Sequence, residues 1–229
     1  MNNLQVTAYL SSPMAVYDDW TPQLEGILIY QLLSNLGLAH PNPSIKQVQQ
    51  NNDVIEAFTP IQRHLSGLYR CSNPVYFYKC EQQSRFRKRW TVDQDGHINW
   101  GKRRARFETS QGSEKSYDLP LFLRLTPRID WFCVGNPEKI KSLLDGITGL
   151  GKKRGQGFGQ VYQWEVVEIK EDWSLTRDGE LMKPVPNHVF KELGIGKFYN
   201  LMKWGWKPPI WLPENKDICF MPEVVKQNG

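Results

Sequence analysis

Metal-ligating residues are sparse in this chain, whose 229 residues include four cysteines and four histidines. Cys71, Cys80, Cys133 and Cys219 form no C-x-x-C pair and have no histidine nearby at zinc-ligand spacing. That excludes a metal knuckle and a dense disulfide framework. Buried free thiols in a reducing compartment are expected instead. Clustered carboxylates are missing too. Asp18-Asp19 and Asp93/Asp95 stand as isolated pairs in expected loops, which excludes a two-metal nuclease centre and leaves them as solvated turn residues. No stretch of about 18 apolar residues occurs, and MNNLQVTAYLSSPM carries neither a basic segment nor an apolar one. The expectation is a soluble, cytoplasmic protein with no metal, no cofactor and no membrane contact.

What is present is a sizeable core and an uneven distribution of charge. Hydrophobic residues make up 40% of the chain, enough for one substantial core or one domain with an insertion. LQVTAYL places Leu4, Val6, Ala8 and Leu10 in alternation, the pattern of a half-buried strand. After Thr21-Pro22, read as an N-cap with proline at the first helical position, Leu24, Ile27, Leu28, Leu32, Leu33 and Leu36 recur at helical spacing up to Gly37. Residues 40–53 are polar and proline-bearing, hence loop. VYFYKC at 75–80 has the composition of a strand. LPLFLRL (119–125) and IDWFCVG (129–135) flank Thr126-Pro127-Arg128 as two strands joined by a tight connection. Asn136-Pro137 opens a short helix with Ile140, Leu143 and Leu144 on one face, and VYQWEVVEI (161–169) is a further strand.

The net charge of +5 is modest, but much of the positive charge lies in two places. Residues 84–106, SRFRKRWTVDQDGHINWGKRRAR, set eight cations against two aspartates, interleaved with Phe86, Trp90 and Trp100. The DGH step predicts a hairpin turn and the whole a projecting basic β-ribbon. Cations among aromatics offer phosphate neutralisation together with stacking, the combination suited to unpaired or distorted RNA. The rival reading packs the aromatics inward and leaves the arginines as a solvated face.

The second place is GITGLGKKRGQGFGQV (146–161), with six glycines and three consecutive cations. Gly146 to Lys152 satisfies G-x-x-x-x-G-K, yet Lys153 stands where a nucleotide-binding loop needs Ser or Thr, and the segment runs from helix to strand rather than strand to helix. Gly155, Gly157 and Gly159 give G-x-G-x-G, not the dinucleotide fingerprint. Glycines alone would serve a turn of positive φ. With Lys152-Lys153-Arg154 at the centre and Phe158 beyond, the segment suits a polynucleotide backbone lying close to the main chain.

Helix, glycine loop and strand in that order resemble the C-terminal glycine-rich loop of the RAMP superfamily, the RNA-recognition-fold proteins of class 1 CRISPR systems. VTAYLSSPMA, LEGILIYQLL and GKKRGQGFG together look most like the RAMP subunit of type IV effectors, over roughly residues 4 to 170. The fold expected is α+β: a ferredoxin-like (RRM-like) antiparallel sheet backed by two helices. A domain over 1–170 would carry the ribbon insertion at 84–106, and 171–229, rich in tryptophan and proline, would be an irregular extension folded back on the core. The resemblance implies a non-catalytic subunit that caps the 5′ handle of the CRISPR guide RNA. It also implies contact with the filament backbone and large subunits, and a place near the protospacer-adjacent duplex of target DNA. Residue by residue it nominates Lys152, Lys153, Arg154, Gln156 and Phe158. Charge and position add Arg85, Arg87, Lys88, Arg89, Trp90, Lys102, Arg103, Arg104 and Arg106.

Some RAMP relatives cut RNA without metal through a histidine, so His40, His64, His97 and His188 bear on an alternative, an endoribonuclease that matures CRISPR RNA. His64, in IQRHLSGLYR beside Arg63 and Arg70, is the best placed of the four. A third reading has the ribbon engage an acidic protein partner.

Overall fold

The computed structural model describes residues 1–16, 18–40, 44–90, 94, 97, 109–110, 115–223 and 226–228. The alternation read at the start builds β1 (Asn2–Leu10), with Leu4, Val6, Ala8 and Leu10 all buried. β1 lies antiparallel between β6 (Arg128–Gly135) and β7 (Val161–Glu168). β3 (Val75–Tyr78) pairs antiparallel with β6, and β13 (Lys226–Asn228) adds parallel to β3, giving the order β13-β3-β6-β1-β7. Two helices, α1 (Leu24–Asn35) and α4 (Pro137–Leu144), cover one face of this sheet. Leu24, Leu28, Ile140 and Leu144 share a single cluster with Leu4, Val6, Ile129 and Trp131. Each fully buried side chain of this kind contributes about 1.5–3 kcal/mol. The chain is therefore α+β.

Local signals account for the helices. Asn136 Oδ1 accepts the Lys139 N–H at 3.0 Å with Pro137 next to it, so α4 starts where the Asn-Pro step predicts. α1 differs at its start: it is preceded by Gln23, not capped by Thr21. The carbonyls of Thr21 and Pro22 instead accept hydrogen bonds from the Tyr76 hydroxyl and from Trp131 Nε1, the latter at 3.0 Å. The expected loop at 40–53 holds α2 (Ile45–Gln50), and α3 (Asn52–Phe58) begins within it. Ser44 and Gln47 form a reciprocal capping box, with Ser44 N–H donating to Gln47 Oε1 at 2.8 Å and Gln47 N–H donating to Ser44 Oγ at 3.3 Å.

The strands expected at 119–125 and 129–135 exist, but they do not pair with each other. β5 (Tyr117–Leu125) pairs with β4 (Cys80–Lys88), just as β6 pairs with β3. Only Lys79 separates β3 from β4, and only Thr126 and Pro127 separate β5 from β6. One long hairpin thus passes from the central sheet into a second one, β2 (Met14–Val16)-β5-β4. At the bend the Thr126 hydroxyl lies 2.8 Å from the Phe77 carbonyl oxygen and 2.7 Å from that of Arg128. The ribbon accordingly starts at Cys80, and its return arm is β5. Apart from Gln94 and His97, the expected turn and second arm at 91–106 lie outside the described residues.

Asp19, expected in a solvated turn, pairs with Arg124, whose side chain is 3% exposed. Arg124 also donates to Glu81 at 2.7 and 2.9 Å and lies over the Tyr76 ring at 4.3 Å, pinning the second sheet to the first. Asp18 accepts the Trp20 N–H at 2.9 Å. Of the four cysteines, Cys80 is exposed while Cys71, Cys133 and Cys219 are buried free thiols.

The stretch after residue 170 is more regular than expected. It forms the hairpin β8 (Thr176–Arg177)-β9 (Glu180–Leu181), the helix α5 (Asn187–Leu193), and a sheet of β10 (Val185–Pro186), β12 (Lys216–Met221) and β11 (Asn200–Gly205) in that order. Its apolar cluster, Leu175, Leu181, Val185 and Val189, includes Leu68 from before β3. A buried ion pair adds a second tie: Lys183 Nζ donates to Glu25 Oε1 of α1 at 2.8 Å, both side chains being 1% exposed.

Candidate nucleic-acid interface

The glycine loop is held in one shape by main-chain bonds. Leu150 N–H donates to Gly159 O at 2.8 Å and Val161 N–H to Thr148 O at 3.0 Å, closing its base. Lys152 N–H donates to Ala15 O and Gly159 N–H to Pro13 O, each at 2.9 Å, docking it on the segment after β1. Gly159 has φ +63°, and a Cβ there would overlap the Leu150 carbonyl oxygen, so no other residue fits. The tip is a 3₁₀ turn, Arg154–Gln156, between Lys153 (φ +56°) and Gly157 (φ +87°), with Arg154 and Gln156 exposed. The amides of Leu150, Lys152, Gln156, Gly157, Gly159, Gln160 and Val161 are all spent on protein acceptors. These bonds hold the base and flanks of the loop, and the exposed tip at Arg154 and Gly155 is where an anion can reach main chain and side chains together.

Loop and ribbon meet. Lys153 Nζ stands 3.5 Å from the centroid of the Phe86 ring, which is stacked on Tyr117 at 5.5 Å. Strand alternation then divides the ribbon's charges between two faces. Phe86 faces the loop, whereas Arg85, Arg87 and Arg89 gather on Asp118 at 2.8, 3.2 and 3.8 Å. The hydrogen bond from Arg85 holds the Asp118 carboxyl below the usual carboxylate range. The single mixed surface expected of cations and aromatics is therefore split, with three arginines sharing one counter-ion. Lys88 is exposed and Trp90 half-buried at the end of this arm. Lys102, Arg103, Arg104 and Arg106 lie outside the described residues.

Beside the loop opens a cleft of about 1330 Å³. One wall is the loop itself, with Lys152, Arg154 and Phe158. The others come from Gln23 and α1, through Ile27 and Tyr30, and from Pro208 to Trp211 of the C-terminal region. Among its described lining residues there is no aspartate or glutamate. A cleft that pairs cations with aromatics and holds no carboxylate favours a polyanion.

Residues 54–222 match the family model of the CRISPR type IV associated protein Csf3, well over half of the chain. The chain belongs to the Csf3 family. No curated protein matches it. The Csf3 match runs through the long hairpin, the glycine loop and most of the C-terminal region, and it gives the chain a type IV CRISPR-associated role, with the partners that such a role entails. Among the described residues, no helix is long and apolar enough to cross a membrane, and no group of three or more His, Cys, Asp or Glu is placed to hold a metal ion.

The histidines are scattered in this Csf3-family chain. His64 Nδ1 is 3.0 Å from Ser66 Oγ, and its Nε2 is 3.8 Å from Glu192. Its segment bridges the sheet at Gly135, opposite Asn2, while the glycine loop bonds to Ser11 beyond the other end of β1. That places the two at opposite ends of a strand about 30 Å long. His188 sits edge-on to Trp206, and His40 lines the cleft. The residues that sequence reasoning missed are Tyr30, Tyr162 and Trp211, all in the cleft wall. The signal for the last was the segment GWKPPIWLP, read as core packing although Trp211 is 44% exposed.

Proposed function

We propose that this chain is the RAMP subunit of a type IV CRISPR effector and that it holds the 5′ handle of the guide RNA without cutting it. In this reading it contacts the filament backbone and large subunits and lies beside the protospacer-adjacent duplex of the target. The observation that carries the proposal is the cleft whose described lining includes Lys152 and Arg154 and no carboxylate, with the glycine loop as one wall. Phosphate contacts from Lys152, Lys153 and Arg154 supply affinity, and unpaired bases reaching into the cleft supply specificity.

The order β3-β6-β1-β7, with two helices on one face, supports a ferredoxin-like arrangement. An RNA-recognition sheet of this type stacks bases on aromatics of its open face. Here that face is covered in part and carries charge where it is open, with Gln163, Glu165 and Val167 of β7 exposed. Asp130 accepts hydrogen bonds from Thr7, Gln5 and Arg128 at 2.8, 2.9 and 2.5 Å, and Trp173 packs edge-on against Phe132. The cleft takes over the role of that platform.

Co-expression with the neighbouring genes of its locus tests the reading: a defined small RNA carrying the repeat-derived handle is expected to co-purify. Incubating the purified protein with repeat RNA in EDTA is expected to leave the RNA intact. Site-specific cleavage that disappears in His64→Ala would overturn the proposal in favour of a maturation endonuclease, and absence of RNA from the complex would favour a protein-interaction role.

A further inference from the structure

The loop 206–215 is built as a rigid frame around one exposed aromatic. Asn215, 5% exposed, donates from its side chain to Pro209 O at 3.1 Å and from its N–H to Leu212 O at 3.0 Å. Trp206 N–H donates back to Asn215 O at 3.0 Å, and Leu212 is 3% exposed. Gly205 is pressed so closely on Ile210 that a Cβ would overlap its backbone. Within this anchored frame Trp211 points to the cleft, 44% exposed, as is Tyr30 of α1 at 48%. A large aromatic left in water on a fixed support contributes little to the fold but costs little conformational entropy when something stacks on it.

We infer that the cleft takes single-stranded RNA, whose unpaired bases stack on Trp211, so that the C-terminal region is part of the RNA site. The inference rests on the RNA-binding reading above and adds to it a platform residue and the C-terminal wall that carries it. A volume of about 1330 Å³ exceeds the span of about 300–1,000 Å³ usual for small-molecule pockets, which suits a stretch of polymer. The Lys152 and Arg154 cations stand on the loop wall, while Tyr30 and Trp211 stand on the other walls, so phosphates are drawn to the loop and bases can stack across from it. A duplex keeps its base faces stacked on each other and offers Trp211 nothing.

The test uses the full chain, a labelled single-stranded RNA and the same strand annealed to its complement. Wild type is expected to prefer the single strand. Trp211→Ala is expected to weaken that binding about 10- to 100-fold with an unchanged salt dependence, and Trp211→Phe to retain most of it. Photo-crosslinking is expected to label the peptide containing Trp211. If Trp211→Ala binds like wild type while the triple change of Lys152, Lys153 and Arg154 to alanine weakens binding, the platform is refuted and the RNA reading stands. If neither variant matters, both fall. Equal affinity for duplex, or loss of a protein partner with RNA binding intact in Trp211→Ala, likewise overturns the inference. Circular dichroism melts confirm that each variant is folded.

Discussion

Replacing Lys183 by methionine removes the one ammonium from a buried ion pair and leaves Glu25 behind. Lys183 Nζ reaches Glu25 Oε1 at 2.8 Å and the Tyr69 carbonyl oxygen at 3.2 Å. Glu25 Oε2 has no hydrogen-bond partner among the described residues, so the ammonium is the carboxylate's main compensation. Removing one member of a fully buried pair costs about 3–5 kcal/mol, because the other is left uncompensated. For a chain of 150–250 residues each kcal/mol lowers the melting temperature by about 2–4 °C, so Lys183→Met is expected to lower it by roughly 6–20 °C. The double variant Glu25→Leu with Lys183→Met removes both charges and is expected to recover most of that loss. Urea unfolding of the four proteins in the cycle measures the coupling. A loss below about 1 kcal/mol in Lys183→Met, or a double variant as unstable as the two single losses added, would refute the assignment of a stabilising pair. The pair joins the C-terminal region to α1, two walls of the same cleft, so RNA binding should fall in the single variant and return in the double.

Three further outcomes are expected. Changing Lys152, Lys153 and Arg154 together to alanine should flatten the log-log salt dependence of single-strand binding by about 2 units, at about 0.7 per phosphate. Between about 50 and 200 mM salt that is roughly a 20-fold difference, and an unaltered slope in a folded variant would remove the loop from the interface. Gly159→Ala should cost about 1–3 kcal/mol and disable the loop, because its Cβ has no room at φ +63°. Gly155→Ala, with nothing within 4 Å of the added atom, should melt like wild type, and equal melts for the two variants would sink the argument. At pH 8 a chromogenic disulfide reagent should titrate one fast thiol, the exposed Cys80, since burial raises Cys219 to about 12 and Cys71 well above the usual thiol value. The folded state keeps protons there that the unfolded chain releases, so stability should decline as pH climbs past the ordinary thiol range of about 8.5. Two or more fast thiols would contradict this burial.

Elements announced by short-range pattern were legible in the sequence. β1 follows from the alternation of Leu4 to Leu10, α4 from Asn136-Pro137 and its apolar face, and β7 from its β-branched and aromatic run. The α2 start was written in Ser44-x-x-Gln47 but masked by the surrounding prolines. Strand pairing was not legible, because alternation says which side of a strand is buried, not which strand lies next to it. That is why β4 and β5 appeared to belong to a ribbon and a core strand rather than to one bent hairpin. The strands of the C-terminal region, two to six residues long, carry too few positions to show a period. In the candidate site the cations were visible, while their partners were not. Lys153 meets Phe86, and Arg85 meets Asp118, through tertiary approach that no local spacing encodes. Trp211 was misread for a related reason: a tryptophan among prolines suggests burial, and only the fold shows its neighbour Leu212 buried in its place.

The Glu25–Lys183 pair also bears on how the molecule is made. Its members are 158 positions apart, so a ribosome working at about 5–20 residues per second leaves the acid group without its counter-ion for roughly 8–30 s. During that interval α1 can dock on the emerging sheet only by burying a lone carboxylate, and Leu68 still lacks Leu175, Leu181 and Val189 around it. Docking of α1 is therefore weakened by that uncompensated charge until Lys183 has left the exit tunnel, and the cleft, which takes one wall from Pro208 to Trp211, is completed after it.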